Sequence, residues 1–484
     1  MNYILKDLEP KSVLKYFEDI SRIPRGSGNE KEISDFLVNF AKDRNLKVIQ
    51  DKALNVIIKK CGTKGYEKAP TVIIQGHMDM VCEKNIGTNH DFTKDPLKLR
   101  IKDDYLYATD TTLGADNGIA VAYALALLDS KDIPHPPLEV LITTEEETGM
   151  GGAFNLEAEN IKGRILINID SEEEGKLLVS CAGGLRNKII LPICWEEENE
   201  NRDFYVIRIR GLKGGHSGME IDKGRANSNK LMGRILVDIL KHIDFRLVSL
   251  TGGSKNNAIP REMDAKIAIK AKDYEKLKSL TEKINEVFKN EYKVSDPEVK
   301  IIVENIEGNN KIFSKESTEK AVKLLYMIPN GIQSMSMEIK DLVQSSTNLG
   351  VVSTTEKGVV FDSAVRSSIG SLKEDILTQS QIISELLGAT IETTSSYPEW
   401  QYDADSNIRK IFQKVYKDLY GKDAEVIAIH AGVECGLFKE KFGEIDMISF
   451  GPNIYDVHTP DEHASISSMK NMWEYLVAVL KEIK

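Results

Sequence analysis

Residues 71–79 read Thr-Val-Ile-Ile-Gln-Gly-His-Met-Asp, a short β-branched run that ends in an imidazole and a carboxylate. Near-continuous apolar character over so few residues is the pattern of a strand buried on both faces of a sheet. The same form recurs at 138–143 and 164–169, and each run ends at a polar cluster. Between them, Asn117, Ala120, Val121, Ala124 and Leu127 repeat at helical spacing among strong helix formers. Strands alternating with helices predict an α/β fold with a mixed, largely parallel sheet flanked by helices.

The pattern changes after Cys181-Ala-Gly-Gly184. A strand-like run at 204–210 precedes a charged amphipathic helix at 273–292, and 358–366 followed by 374–387 repeats that order. This predicts an inserted α+β domain over 183–398, built of two similar halves. Beyond Tyr397 the first pattern returns, with a strand at 447–450 and a closing helix. There Met469, Met472, Trp473, Leu476 and Leu480 share one helical face and read as core packing. Segments 1–182 and 399–484 then make one discontinuous domain.

Composition excludes several classes of function. The 484 residues carry a net charge of -11, which disfavours nucleic acid and anionic membrane surfaces as partners. The longest apolar run, 118–128, is about half of the roughly 20 residues needed to cross a bilayer. Acidic residues near the N-terminus, at Asp7 and Glu9, replace the cationic start of a signal peptide. The five cysteines are scattered and contain no Cys-x-x-Cys pair, so a reducing, cytoplasmic setting is expected.

His77 and Asp79 alternate along an extended chain, so they should point the same way, the usual placement of a carboxylate behind a metal-ligating histidine. Asp116, in Gly114-Ala-Asp-Asn-Gly118, read alone is a helix N-cap. Glu145, Glu146 and Glu147 follow a strand and read alone are a solvated acidic loop. Asp170 closes another strand, and His458 lies in a loop after the strand at 447–450. Ligands in open α/β sheets bind outside the carboxyl ends of the strands, where His77, Glu147, Asp170 and His458 all fall. Two imidazoles and three carboxylates without a thiolate suit Zn²⁺, Co²⁺ or Mn²⁺, and Glu146 is free to act as a general base. Gly215-His-Ser-Gly-Met219 departs from the serine-hydrolase elbow, because Met219 stands where the second glycine belongs.

These residues, in this order, resemble the co-catalytic zinc peptidases of the M20 or aminoacylase-1/carboxypeptidase-G2 family. The matching motifs are His77-x-Asp79, the Gly-Ala-Asp116-Asn-Gly loop, Glu146-Glu147-x-Gly149, Asp170, Gly214-Gly-His216-Ser-Gly218 and His458. Residues 75–81, 211–221 and 430–436 resemble the branch of that family that cleaves aminoacyl-histidine dipeptides.

The resemblance implies a zinc-peptidase catalytic domain with a lid domain, and two divalent ions, Zn²⁺ foremost. Asp116 would bridge the ions, His77 and Asp170 would complete one site, and Glu147 and His458 the other. Glu146 would be the general base for the attacking water, Asp79 would orient His77, and a cis peptide would follow Asp116. His216 would stabilise the oxyanion, while Asn257, Arg366 and Gly432 would bind the substrate backbone and its carboxylate. Asn256 competes with Asn257 for that role. Aspartate rather than glutamate at position 170 goes with a free-amine substrate, so the expected partner is a small peptide, Xaa-His or related. An N-deacylase or carboxypeptidase on the same scaffold is the alternative, and an inactive binding protein is a third reading. A lid that completes the site within one chain suits a monomer, whereas relatives with a shorter lid use a partner subunit, so a homodimer stays open.

Overall fold

The structure is a computed structural model that describes residues 3–308 and 311–484. It divides into two compact units, one formed by Met1–Ser180, Trp400–Ala428 and Val433–Lys484, the other by Cys181–Glu399 and Ile429–Gly432.

The first unit is built on a sheet whose order runs Lys47–Gln50, Val56–Lys60, Leu138–Thr143, Val72–His77, Ile165–Asn168 and Asp446–Ser449, then two strands beginning at Lys176 and Glu425. Every residue of Val72–His77 and Leu138–Thr143 is buried, as their apolar runs require. Parallel pairing links the four strands from Leu138–Thr143 to Asp446–Ser449. The sheet is mixed, as expected, with antiparallel pairings beside this parallel centre. Lys47–Gln50 pairs antiparallel with Val56–Lys60, which pairs antiparallel with Leu138–Thr143, and Asp446–Ser449 meets the strand from Lys176 antiparallel. The physical reason at the first flank is the connection. Asp51 Oδ1 accepts the backbone N–H groups of Ala53 and Asn55, closing a tight turn that only antiparallel neighbours can use.

Helix Ala115–Asp129 is buried almost all round, which explains its unbroken apolar sequence as that of a core helix. Its Ile119 and Leu125 join Phe17, Leu37, Ile74, Val140, Phe412 and Ile448 in one core. Met469, Met472, Leu476 and Leu480 of the closing helix Ile466–Glu482 pack there as their spacing predicts. Among the described residues no helix is long and apolar enough to cross a membrane.

The second unit is a mixed α/β layer around an antiparallel sheet. Its strands run Lys300–Ile306, Arg202–Arg210, Met263–Lys270, Phe245–Gly252, Val343–Thr354, Gly358–Ser367, Gly183–Pro192 and Thr390–Tyr397. The first four strands, with helices Ser228–Leu240 and Tyr274–Glu291, follow the chain order strand, helix, strand, strand, helix, strand. The last four, with helices Lys315–Met327 and Gly370–Leu387, follow the same order around an added edge strand, Gly331–Met335. The two sets meet where Thr251 and Gly252 pair with Ser353 and Val352. Ile207, Leu236, Phe245, Leu324 and Phe361 are among the residues of its core.

Candidate metal centre and catalytic site

In the first unit, strand ends and one helix start bring the predicted residues together. His77 is the last residue of Val72–His77, and its backbone N–H donates to Asn117 Oδ1 at 3.1 Å. Asp116 sits at the start of helix Ala115–Asp129, where the backbone is not helical, and the Asp116–Asn117 peptide is cis. Glu146 and Glu147 occupy the loop after Leu138–Thr143, and Asp170 lies just beyond Ile165–Asn168. His458 projects from the loop between the short strands Ile454–Tyr455 and His463–Ser465.

The two oxygens of Asp116 face different histidines. Oδ1 is 3.2 Å from His77 Nε2, and Oδ2 is 3.2 Å from His458 Nε2. Asp170 Oδ1 lies 3.4 Å from His77 Nε2, and Glu147 Oε2 lies 3.1 Å from His458 Nε2. Two groups with metal-ligand spacing result, His77 with Asp116 and Asp170, and Asp116 with Glu147 and His458; Glu146 forms a third with His77 and Glu147. Asp116 therefore belongs to both candidate ion sites.

The electrostatics fit a pair of cations. Glu147 Oε1 is buried with no hydrogen-bond partner among the described residues, a costly state for a carboxylate unless a cation meets it. Burial, then the neighbouring Asp170, Glu434 and Glu147, push Glu146 up to about 9 against the opposing pull of His77. Burial likewise lifts Asp170 to about 6. Hydrogen bonds to Asp116 and Glu147 raise His458 to about 10. Burial works against ionisation of Asp116, but hydrogen bonds from His458 and His77 hold its carboxyl well below the usual range. Protons here compensate charge that divalent ions would take over, and the imidazole and carboxylate donors are of a kind that divalent metal ions accept.

Asp79 does more than stand behind His77. Its Oδ1 accepts the backbone N–H of Glu146 at 3.2 Å, and its Oδ2 accepts those of Glu147 at 3.3 Å and the hydroxyl of Ser27 at 2.8 Å. It thus holds the loop of Glu146 and Glu147 as well as the imidazole. Three residues with support roles escaped the sequence reading. Arg25, buried, donates to the carbonyls of Met78 at 3.0 Å and Asp79 at 3.2 Å, and to that of Gly114. Glu434 Oε2 accepts from Gln75 Nε2 at 2.6 Å and Thr143 Oγ1 at 2.8 Å, and burial pushes this carboxyl up to about 8. Glu462 accepts backbone N–H groups of the Asp116 loop. Glu434 lies within residues 430–436 and Glu462 four residues after His458, but only their burial singles them out.

The second unit gathers another group. His216 Nδ1 accepts the N–H groups of Gly218 at 3.2 Å and Met219 at 3.1 Å. That assigns the ring proton to Nε2 and leaves it as a donor. His216 N donates to Glu220 Oε2 at 2.8 Å, and Asp296 ties down the segment by accepting from Lys213 N and Ala226 N, both at 2.8 Å. Arg366 donates to Tyr397 Oη at 2.9 Å, while its Nε is buried without a hydrogen-bond partner among the described residues. A Cβ at Gly218 would lie 2.6 Å from His430 O, 3.1 Å from His216 Cε1 and 3.2 Å from Arg366 Nε, so these groups converge on that glycine. A Cβ at Gly432 would lie 2.5 Å from the Tyr397 ring, which accounts for glycine there. The Asn257 residue is exposed and its carbonyl accepts Ser217 N at 2.9 Å, whereas the Asn256 carbonyl accepts from Asn348 Nδ2 at 2.9 Å.

Comparison with known proteins bears on this geometry. Residues 73–482 match the profile of Peptidase family M20/M25/M40. The chain is 39% identical over 479 residues to the cytosol non-specific dipeptidase of Escherichia coli (strain K12), covering 99% of each. It is similar to the crystal structure of aminoacylhistidine dipeptidase from Vibrio alginolyticus, with a TM-score of 0.96 and 40% identity, over 99% of this chain and 98% of that one. Aminopeptidase PepT from Bacillus cereus shares the fold, with a TM-score of 0.57 and 15% identity, over 98% of this chain and 99% of that one.

Proposed function

The chain belongs to the M20 peptidase family, a family of metal-dependent hydrolases, and from that premise we propose that it is a dinuclear dipeptidase acting on free-amine dipeptides, Xaa-His and related. The observation that carries the reading is Asp116, each of whose oxygens faces one histidine of a separate ligand group. Two divalent ions, Zn²⁺ foremost, held by His77, Asp116 and Asp170 and by Asp116, Glu147 and His458, would polarise the scissile carbonyl and acidify the attacking water.

The chain's own residues do the rest. Glu146, half-buried beside Glu147 and His77, takes the water's proton and passes it to the leaving amine. His216, with its proton on Nε2, donates to the oxygen on which negative charge develops. Arg366 offers its guanidinium to the substrate's terminal carboxylate, and Asn257 and Gly432 bind the backbone. The two like-ordered sets of strands and helices support reading residues 183–398 as a lid of two similar halves. Aspartate at position 170 and the dipeptidase names of two full-length relatives favour a free amine over a blocked one.

The test is hydrolysis of a free-amine Xaa-His dipeptide against its N-acetylated form, after chelation and with Zn²⁺, Co²⁺ or Mn²⁺ restored. Metal-dependent cleavage of the free form alone is expected. Cleavage of the blocked form alone assigns the chain to the deacylases, and cleavage of neither with metal bound makes it a binding protein.

A further inference from the structure

We propose that Glu462 is a positioning residue that locks the Asp116 loop to the His458 loop and so sets the separation of the two ion sites; this rests on the dinuclear reading above. Four consecutive backbone N–H groups converge on its carboxylate. Leu113 N and Gly114 N meet Oε2 at 2.8 and 2.9 Å, and Ala115 N and Asp116 N meet Oε1 at 2.8 and 3.4 Å. Glu462 is only 2% exposed.

These amides belong to the turn that opens helix Ala115–Asp129, where N–H groups lack helical partners and favour an anion. Satisfying them from a residue 346 to 349 positions away ties two distant parts of the chain together. Arg25 holds the opposite side of the same turn, since its guanidinium donates to Gly114 O while Gly114 N donates to Glu462. The peptide groups flanking Gly114 are gripped at both polar ends.

The other end of the tie is His458, four residues before Glu462. The loop between them is braced internally, with Glu462 N donating to Thr459 O at 3.1 Å and Thr459 Oγ1 to Asp456 O at 2.7 Å. Its base is closed by the pairing of Ile454 with Ala464 and Tyr455 with His463. Holding Glu462 against residues 113–116 therefore holds His458 Nε2 at 3.2 Å from Asp116 Oδ2. Glu462 is in neither ligand group, so it acts through Asp116 and His458. A glutamine would keep its size but turn an amide donor toward two of the four N–H groups.

The experiment titrates metal-free full-length wild type and Glu462→Gln with Co²⁺, reading stoichiometry, affinity and the visible absorption envelope, with circular dichroism as a check of folding. Wild type should take up two ions. Glu462→Gln should fold, lose about ten- to a hundredfold in affinity for one of them, and show an altered envelope. For the dipeptide substrate kcat should fall with little change in KM. If Glu462→Gln does not fold, Glu462→Asp, which keeps the charge but reaches fewer N–H groups, is read the same way. Two ions bound with wild-type affinity and spectrum overturn the inference even if the melting temperature drops. Wild type that takes up no Co²⁺ overturns the dinuclear reading, and this inference with it.

Discussion

The Asp79 carboxylate stands 3.3 Å from Nδ1 of His77, while Nε2 of the same ring faces Asp116 and Asp170. The ring is thus oriented from the side opposite the ligand group. Burial opposes the charge on Asp79, yet hydrogen bonding to His77 keeps its carboxyl below the ordinary range. Asp79→Asn should retain the fold and lower affinity for the ion at His77 by about ten- to a hundredfold, as measured by calorimetric titration of the metal-free protein. Unchanged affinity would remove Asp79 from the site.

Glu146 and Glu147 are neighbours to which the proposed function gives different tasks. Glu146→Gln should lower kcat by about 10²–10⁴-fold while two ions still bind. Glu147→Gln should lose one ion, because its carboxylate faces His458. Metal content by elemental analysis, set beside kcat, separates the two, and equal metal loss in both would end the general-base assignment.

Because Gly218 and Met219 donate to Nδ1 of His216, the ring nitrogen left to donate is Nε2, the one the proposed role uses. His216→Ala should cost about 10²–10³-fold in kcat with metal content intact. Glutamine, whose amide nitrogen reaches about as far as Nε2, should retain more activity than asparagine. The reverse order in a kinetic comparison would assign the donor to Nδ1.

His430, paired with Ser346 Oγ at 2.6 Å, is held neutral. Burial first, then Arg366, bring it down to about 4. An unfolded histidine takes its proton near pH 6.5, so between about 6.5 and 4 the unfolded chain binds more protons than the folded one. The contribution of His430 is complete above pH 6.5 and is lost as pH falls toward 4. His430→Gln removes this dependence, and the stability gap between wild type and variant should narrow from pH 7 to pH 5 in urea unfolding. A gap independent of pH would show that folding does not shift the proton affinity of His430.

The amino-acid sequence by itself determined the layered α/β order and the places where His77, Asp116, Glu147, Asp170 and His458 leave strands or begin a helix. Apolar periodicity and residue type are local properties, so they can be read along the chain. It also carried the motif around His216, although not which ring nitrogen donates, since that depends on backbone N–H groups from the turn that follows. Only the tertiary structure decided which strands pair antiparallel, Lys47–Gln50 with Val56–Lys60 among them, because a strand pattern does not name its neighbour. The same holds for Arg25, Glu434 and Glu462. Their work is done on carbonyls, amides and side chains 53 to 359 residues away. A buried charge with a distant partner leaves no period in the chain, and becomes necessary only when folding removes the water that would otherwise solvate it.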